Sequence, residues 1–364
     1  MENLFVKYGI PALDVQKKIR ETFDTIFFDE NEKFYFELDQ DSAFMMDTGN
    51  VDARTEGMSY GMMMAVQMDR QDIFDKLWMF SKRYMWHEDG KYQGYFAWSV
   101  NPKGRRNAQG PAPDGEEYYA MALFFASKRW GDKEAPYDYS VQARDILRHC
   151  VHQHELVEDG RAMWAPENKL IRFVPEADFS DPSYHLPHFY SLFARCADEE
   201  DRAFWQQAAD NSRQYLLKSS HPVTGMAAEY AEYDGTPRHM FRKDFDFYSD
   251  AYRVAMNIGL DSAWFGKRPE YAEIIDHLQQ FLWGREPYKA YMLDGRETSE
   301  PAMHPVAVIA TTAAGSLATD NPRQERWVKF FWETPLRTGG RRYYDNCLYF
   351  FCLLMMAGEY RIFE

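Results

Sequence analysis

One carboxylate stands at an unusual place in the sequence. Glu56 opens the stretch "TEGMSYGMMMAVQ", which is otherwise apolar enough to form a buried helix. Burial disfavours the charged form of a carboxyl group, so we expect the pKa of Glu56 to be raised. A carboxyl group that keeps its proton at neutral pH can serve as a general acid.

A second carboxylate has different neighbours. Asp250 lies in "YSDAYR", with Arg253 one helical turn further on and Tyr248 and Tyr252 close by. A cation and hydrogen-bond donors favour an ionised carboxylate, which is the form that a general base needs. One protonated and one ionised carboxyl group across a groove are the groups that hydrolyse a glycosidic bond.

Aromatic side chains are the residues that would hold a sugar in such a groove. They make up 17% of the chain, and many lie in loops beside Gly, Pro and Asp. Packing in a large core would explain each of them equally well. The candidates for stacking on sugar faces are Tyr92, Tyr95, Trp98, Tyr343 and Tyr344.

The elements that must position these residues are helices. Apolar residues recur every three or four positions, as an α-helix requires. The pattern predicts twelve helices, over 12–24, 56–68, 72–84, 115–129, 138–151, 185–197, 200–218, 249–258, 268–283, 304–316, 323–333 and 343–357.

Two kinds of helix alternate along the chain. Segments such as "DRAFWQQAADNSRQYLLKS" carry charge on one face, whereas "NCLYFFCLLMMAG" and its like are apolar nearly all round. Six hairpins with the apolar member inside form a ring, so the sequence predicts an all-α fold, an (α/α)6 barrel of six inner and six outer helices. No Pro-rich or Gly-rich linker divides residues 1–364, which favours a single domain.

Polar and aromatic residues concentrate where the inner helices begin, which is one mouth of such a barrel. The entrances read "VDARTEGMSYG", "GPAPDGEEYY", "DFSDPSYHLP", "RKDFDFYSDAYR" and "GGRRYYDN", and the remaining one, "TSEPAMHPVA", contributes His304. Helix capping alone would explain Asp114, Asp181 or Asp250 taken singly. Five such entrances together indicate a functional site.

Composition excludes several classes of partner and cofactor. With 57 acidic and 42 basic residues, the net charge of −15 argues against binding nucleic acid or an anionic membrane surface. Scattered cysteines and the pair His185 and His188 do not have metal-ligand spacing, and no Walker or dinucleotide motif is present, so we expect no metal and no cofactor. The N-terminal residues lack the pattern of a secretion signal, which favours a cytoplasmic location.

Four stretches resemble the motifs of glycoside hydrolase family 8. They are "TEGMSYGMMMAVQMDRQDIFDKLWMF", "APDGEEYYAMALFFA", "DPSYHLPHFYSLFA" and "SDAYRVAMNIGLD", and within the family they look most like the reducing-end xylose-releasing exo-oligoxylanases. The resemblance runs from about residue 20 to the C-terminus. It implies an (α/α)6 barrel, inversion at the anomeric carbon and no cofactor.

The resemblance also implies roles for individual residues. It makes Glu56 the general acid and Asp250 the general base, although Asp244 and Asp246 lie near enough to be alternatives for the base. Asp114 would hold the sugar in subsite −1, and Tyr184 would help to place the water. Candidate substrate-binding residues are Trp98, Tyr95, Arg253, His304 and Tyr344.

The expected activity is release of xylose from the reducing end of β-1,4-xylo-oligosaccharides. This requires a wall beyond subsite +1, and the long segment "GREPYKAYMLDGRETSEPAMHPVA" is placed to provide it, with His304 binding the free reducing-end hydroxyl. A capping or buried His304 is the plain alternative. An endo-acting xylanase or β-glucanase of the same family remains open, as does an (α/α)6 epimerase, a lyase or a non-catalytic glycan-binding barrel.

Overall fold

The fold is built from helices. The computed structural model describes residues 1–241 and 244–364; Arg242 and Lys243, which open the "RKDFDFYSDAYR" entrance, lie outside the described residues. The α-helices of the described part are α1 (Leu4–Lys7), α2 (Ala12–Phe27), α3 (Thr55–Gln67), α4 (Gln71–Phe80), α5 (Pro113–Trp130), α6 (Tyr139–Leu156), α7 (Pro187–Cys196), α8 (Arg202–Ser219), α9 (Arg253–Phe265), α10 (Pro269–Leu282), α11 (Pro305–Ala314), α12 (Gln324–Glu333) and α13 (Arg342–Met356).

Short antiparallel strand pairs lie in the connections. They are β1 (Tyr35–Glu37) with β2 (Ala43–Met45), β3 (Ala53–Arg54) with β4 (Ser99–Val100), and β5 (Lys289–Tyr291) with β6 (Glu297–Pro301). The last pair forms a hairpin within the segment predicted as a wall. The helix pattern did not predict these strands, because strands of two to five residues are too short to show a periodicity.

All twelve predicted helices are confirmed, as α2 to α13. Some end later than predicted: α6 runs to Leu156 rather than 151, and α9 runs to Phe265 rather than 258. Other differences lie at helix starts beside the site. The helix predicted over 249–258 begins as a 3₁₀ turn, Ser249–Tyr252, before α9, and a second 3₁₀ turn, Pro182–Tyr184, precedes α7. Pro187 and Pro305 stand at the first positions of α7 and α11, where a missing N–H costs nothing.

The helices form the predicted (α/α)6 barrel. The inner helices are α3, α5, α7, α9, α11 and α13; each contacts the next, and α13 contacts α3, which closes the ring. Every residue of α13 from Tyr343 to Met356 is buried, as expected of a helix enclosed on all sides. Outer helices such as α12 bury only a few positions on one face, among them Trp327 and Phe331.

One continuous hydrophobic core joins the inner helices across the barrel axis. The ring of Phe351 on α13 lies 5.1 Å from that of Tyr60 on α3 and 5.8 Å from that of Tyr118 on α5. Many of the aromatic residues therefore pack the core of the barrel, which is the alternative to sugar binding that the composition allowed. Among the described residues, no helix is long and apolar enough to span a membrane.

Candidate active site

Arg253 lies at the centre of the mouth formed by the inner-helix starts. One guanidinium nitrogen lies 3.2 Å from Glu56 Oε2 and 3.1 Å from Asp114 Oδ2, and the other lies 3.4 Å from Asp250 Oδ1. The Arg253 side chain is only 3% exposed. Because one guanidinium bridges these oxygens, those of Glu56 and Asp250 lie at most about 9 Å apart, below the upper limit for an inverting pair of carboxyl groups.

Two glycines allow α3 to pack closely against α5 and α13. A Cβ atom added to Gly115 would lie 2.4 Å from the Cβ of Thr55, so only glycine permits the starts of α3 and α5 to pack this closely. A Cβ at Gly57 would lie 2.5 Å from the hydroxyl oxygen of Tyr343. Each glycine follows a site carboxylate directly in sequence, so the close packing brings Glu56 and Asp114 to the same cation.

Glu56 has the environment that was expected of a general acid. Its Oε1 lies 2.9 Å from the hydroxyl of Tyr343, and its side chain is 15% exposed. Burial is the main cause that raises the pKa of Glu56 to about 8; within that net value the charge of Arg253 lowers the pKa, and the charges of Asp114 and Asp250 raise it. The group therefore carries a proton at neutral pH in the free protein.

Asp250 is the more open carboxylate, with 25% of its side chain exposed. The hydroxyl of Tyr344 donates to its Oδ1 at 3.2 Å. The preceding residue, Ser249, has φ +34°, a conformation that costs a residue with a side chain roughly 1–3 kcal/mol. The strained residue is the first of the 3₁₀ turn that places Asp250 at the cavities. Strained backbone conformations are often found at functional sites.

Helix capping explains Asp181 but not Asp114. Asp181 accepts a hydrogen bond from the backbone N–H of Ser183 at 2.7 Å and caps the 3₁₀ turn, as the plain reading predicts. Asp114 accepts a hydrogen bond from the adjacent N–H of Gly115 at 3.0 Å and another from the guanidinium of Arg253 at 3.1 Å. Burial raises the pKa of Asp114, while the Arg253 charge lowers it.

Two cavities of unequal size meet at the carboxylates, and both are lined by Arg54, Glu56 and Asp250. The larger has a volume of about 400 Å³ and the smaller about 140 Å³. Trp98, Asp114 and Tyr184 line the larger one, together with Phe173, Tyr230 and Phe241. His304, Tyr343 and Tyr344 line the smaller one, together with Asp47, Asn50, Met303 and Arg341.

Tyr95 was wrongly predicted to bind substrate. It is 1% exposed in the hydrophobic core, and its hydroxyl lies 3.0 Å from the backbone oxygens of both His149 and Arg161. Its loop setting suggested exposure, but the loop folds inward and uses the ring for packing. Trp98, three residues later, does line the larger cavity.

Sequence reasoning missed Arg54, which lies between the two cavities. Asp47 and Asp52 hold its guanidinium at 3.3 and 3.1 Å, and the guanidinium lies 5.3 Å from the ring centre of Trp98. Its position two residues before Glu56 was the available signal. The large aromatic wall formed by Phe173 and Tyr230 comes from connections that carry no helical pattern, so no sequence signal was available for it.

The histidines divide between the core and the site. His185 is fully buried between the hydroxyls of Ser180 and Ser212, at 2.9 and 2.8 Å, which is a structural role. His304 instead lines the smaller cavity, with its Nδ1 atom 2.9 Å from Asp345 Oδ2. Within residues 1–241 and 244–364, no three His, Cys, Asp or Glu side chains are grouped so that they could hold a metal ion.

Comparison with known proteins gives one consistent result. The profile described as "Glycosyl hydrolases family 8" matches residues 39–358. The reducing-end xylose-releasing exo-oligoxylanase Rex8A of Paenibacillus barcinonensis is 53% identical over 366 residues, which cover 99% of this chain and 96% of the relative. A reducing end xylose-releasing exo-oligoxylanase of Bifidobacterium adolescentis is 51% identical over 367 residues, with 99% and 96% coverage.

The similarity extends to three dimensions. The structure of Rex8A from Paenibacillus barcinonensis complexed with xylose superposes with a TM-score of 0.97 at 52% identity. The alignment covers 100% of this chain and 97% of that one.

Proposed function

Because the chain belongs to family 8 of the glycosyl hydrolases, we propose that it releases xylose from the reducing end of β-1,4-xylo-oligosaccharides with inversion of the anomeric carbon. Similarity over nearly the whole length of exo-oligoxylanases supports the activity. Within this chain, the main support is that the two cavities lined by both Glu56 and Asp250 differ in volume, at about 400 and about 140 Å³.

The chemistry assigns one step to each carboxyl group. Glu56 gives its proton to the glycosidic oxygen as the bond from that oxygen to the anomeric carbon breaks. Asp250 takes a proton from the water whose oxygen bonds to the same carbon on the opposite face. Because Arg253 contacts both groups, one cation sets their spacing while water attacks between them.

The larger cavity holds the sugars on the non-reducing side of the scissile bond. Trp98 offers an indole face whose position is supported by the guanidinium of Arg54. Asp114 accepts hydrogen bonds from the hydroxyls of the sugar in subsite −1, and Tyr184, in the same cavity as Asp250, orients the attacking water. An aromatic cavity of about 400 Å³ has room for more than one pentose.

The smaller cavity holds one xylose, in subsite +1. The β5–β6 hairpin leads into Met303 and His304, which line this cavity, and Tyr291 pairs with Phe247 just before Asp250. Leu293 N also donates to Asp246 at 2.9 Å, which fixes the hairpin to the same segment. This contact commits Asp246 to the hairpin and favours Asp250 as the base. The hairpin thus holds in place Met303 and His304, which form the wall that restricts cleavage to a single terminal sugar.

We further propose that residues 1–364 form one catalytic domain that acts in the cytoplasm. The continuous core supports one domain. Four unpaired cysteines, of which Cys150, Cys347 and Cys352 are buried, are in keeping with a reducing compartment. Recovery of the native protein from culture medium rather than from washed and lysed cells would contradict the location.

Xylotriose to xylohexaose labelled at the reducing end test the activity. We expect label only in free xylose, and NMR spectra taken before mutarotation should show the new reducing end as the α anomer. Label spread over xylose, xylobiose and xylotriose would refute the exo action and indicate an endo enzyme. A Glu56→Gln variant with wild-type turnover would refute the assignment of the acid.

A further inference from the structure

His304 is held by a buried carboxylate on a different inner helix. Asp345, near the start of α13, is 0% exposed and lies with Oδ2 2.9 Å from His304 Nδ1. Its Oδ1 accepts the backbone N–H of Ala307 at 2.9 Å, in the first turn of α11. Arg337 contacts the same Oδ2, and also donates to the backbone oxygen of Met303 at 2.7 Å.

These contacts determine which nitrogen of His304 carries the proton. Arg337 donates to one oxygen of the Asp345 carboxylate and the backbone N–H of Ala307 donates to the other, so both oxygens act as hydrogen-bond acceptors. A nitrogen of Arg337 also lies 3.5 Å from His304 Nδ1, but Asp345 Oδ2 is nearer, at 2.9 Å, so Nδ1 donates to that oxygen. Since Arg337 already balances the carboxylate charge, a neutral imidazole suffices, and its Nε2 is then an unprotonated acceptor.

The free nitrogen belongs to the wall of the smaller cavity. His304 lines that cavity, and no described residue of 1–241 or 244–364 makes a hydrogen bond to its Nε2. A terminal xylose enters with O4 toward Glu56, because O4 is the leaving oxygen. C1 lies across the pyranose ring from C4, so the anomeric hydroxyl points toward the end of the pocket closed by Met303 and His304.

We propose that Asp345 is a positioning residue: by fixing the tautomer of His304, it makes the pocket demand a hydroxyl donor on the anomeric carbon. Only a free reducing end carries such a donor; the anomeric oxygen of an internal sugar has no hydrogen to give. Asp345 thereby adds a chemical requirement for the reducing end to the steric one imposed by the hairpin. The inference rests on the proposed function.

The test compares two trisaccharides of nearly equal size. One is xylotriose, and the other is the same sugar with a 1,5-anhydroalditol terminus, which lacks only the anomeric hydroxyl. We expect wild-type kcat/KM to favour xylotriose by about tenfold or more, as a hydrogen bond to a buried acceptor would give. In Asp345→Asn one of the two acceptor oxygens becomes an NH2 group, so His304 Nδ1 loses the charged acceptor that fixes its proton, and the ratio should fall toward one through loss on xylotriose alone.

The matched control is Asp261→Asn. Asp261 is also 0% exposed and pairs with a buried arginine, Arg213, at 2.7 Å, but it lies on α9 and lines neither cavity. We expect this variant to lower the Tm and leave the substrate ratio at its wild-type value. A purely structural role for Asp345 would lower kcat/KM equally for both sugars, which would overturn the inference.

A measurement on the wild type keeps the proposal testable if Asp345→Asn does not fold. In ¹⁵N-histidine-labelled protein, the His304 signals are identified by their loss in His304→Ala. We expect a protonated Nδ1 and a bare Nε2; a protonated Nε2 would overturn the inference. Failure of the wild type to release xylose from xylotriose would refute the proposed function and this inference together, whereas an unchanged ratio in a folded Asp345→Asn would refute the inference alone.

Discussion

Substitution of Gly115 by alanine tests whether close helix packing sets the catalytic geometry. The new Cβ would lie 2.4 Å from the Cβ and 2.5 Å from the Oγ1 of Thr55. Carbon atoms rest at about 3.5–4.0 Å, so the starts of α3 and α5 must separate by roughly 1 Å. Glu56 follows Thr55 and Asp114 precedes Gly115, so this separation acts on the two carboxylates that share one guanidinium nitrogen.

The expected effect is larger on catalysis than on folding. A contact of 3.2 Å between Glu56 and Arg253 would lengthen beyond hydrogen-bonding distance. Misplacement of a catalytic group by about 1 Å costs on the order of 100-fold in rate, whereas the steric insertion costs about 1–3 kcal/mol of unfolding free energy. Initial rates on xylotriose give kcat, and thermal unfolding gives the loss of stability.

Gly340→Ala is the matched control, because a Cβ at Gly340 would meet nothing within 4 Å. It should leave both kcat and Tm close to wild type. A Gly115→Ala enzyme with kcat within twofold of wild type and an unchanged Tm would refute the argument. A lowered Tm with unchanged kcat would show that the helices yield elsewhere and that their spacing does not set the site.

Two further predictions concern buried carboxyl groups. Since burial raises the pKa of Glu56 to about 8 and the acid must be protonated, the alkaline limb of the kcat/KM profile should begin near pH 8 and fall about tenfold per unit above it; an alkaline limb that begins near pH 5 would contradict this. Burial also raises the pKa of Glu117 well above its ordinary value, and Tyr190 lies 2.9 Å from its Oε2. Glu117→Gln should therefore unfold near the wild-type temperature. Glu117→Leu removes one of the two hydrogen-bond partners of the Tyr190 hydroxyl and leaves the backbone oxygen of Tyr184 at 2.9 Å, so it should lose about 0.5–1.5 kcal/mol; equal losses would refute a neutral Glu117.

The inner helices could be predicted because a helix buried on all sides has apolar residues around its whole circumference. A segment such as α13 has no polar face over four turns, and its outer neighbours alternate with it regularly. The same reasoning led to Glu56, since a carboxylate at the start of such a helix contradicts the surrounding pattern. Asp250 was found because a cation follows it at helical spacing, and that cation does contact it.

Contacts between distant segments could not be predicted in this way. Tyr343 lies 287 residues from Glu56, and Asp345 lies 41 residues from His304, so no local spacing relates either pair. The prediction that Tyr95 binds substrate failed because its sequence neighbours are typical of a surface loop, while residues from distant segments enclose its ring. Local sequence patterns identify helices and residues that break the pattern. The contact partners of a side chain depend on how the inner helices assemble into the barrel.

The division of labour among the carboxyl groups follows from charge and access together. Arg253 supplies one positive charge to Glu56, Asp114 and Asp250, so their mutual repulsion in a buried site favours retention of a proton. Burial raises the pKa of both Glu56 and Asp114. Of these two, Asp114 lines only the larger cavity, whereas Glu56 lines both and therefore reaches an oxygen that bridges them. In the proposed mechanism the proton is useful only on Glu56, because the bond to be broken passes from one cavity into the other.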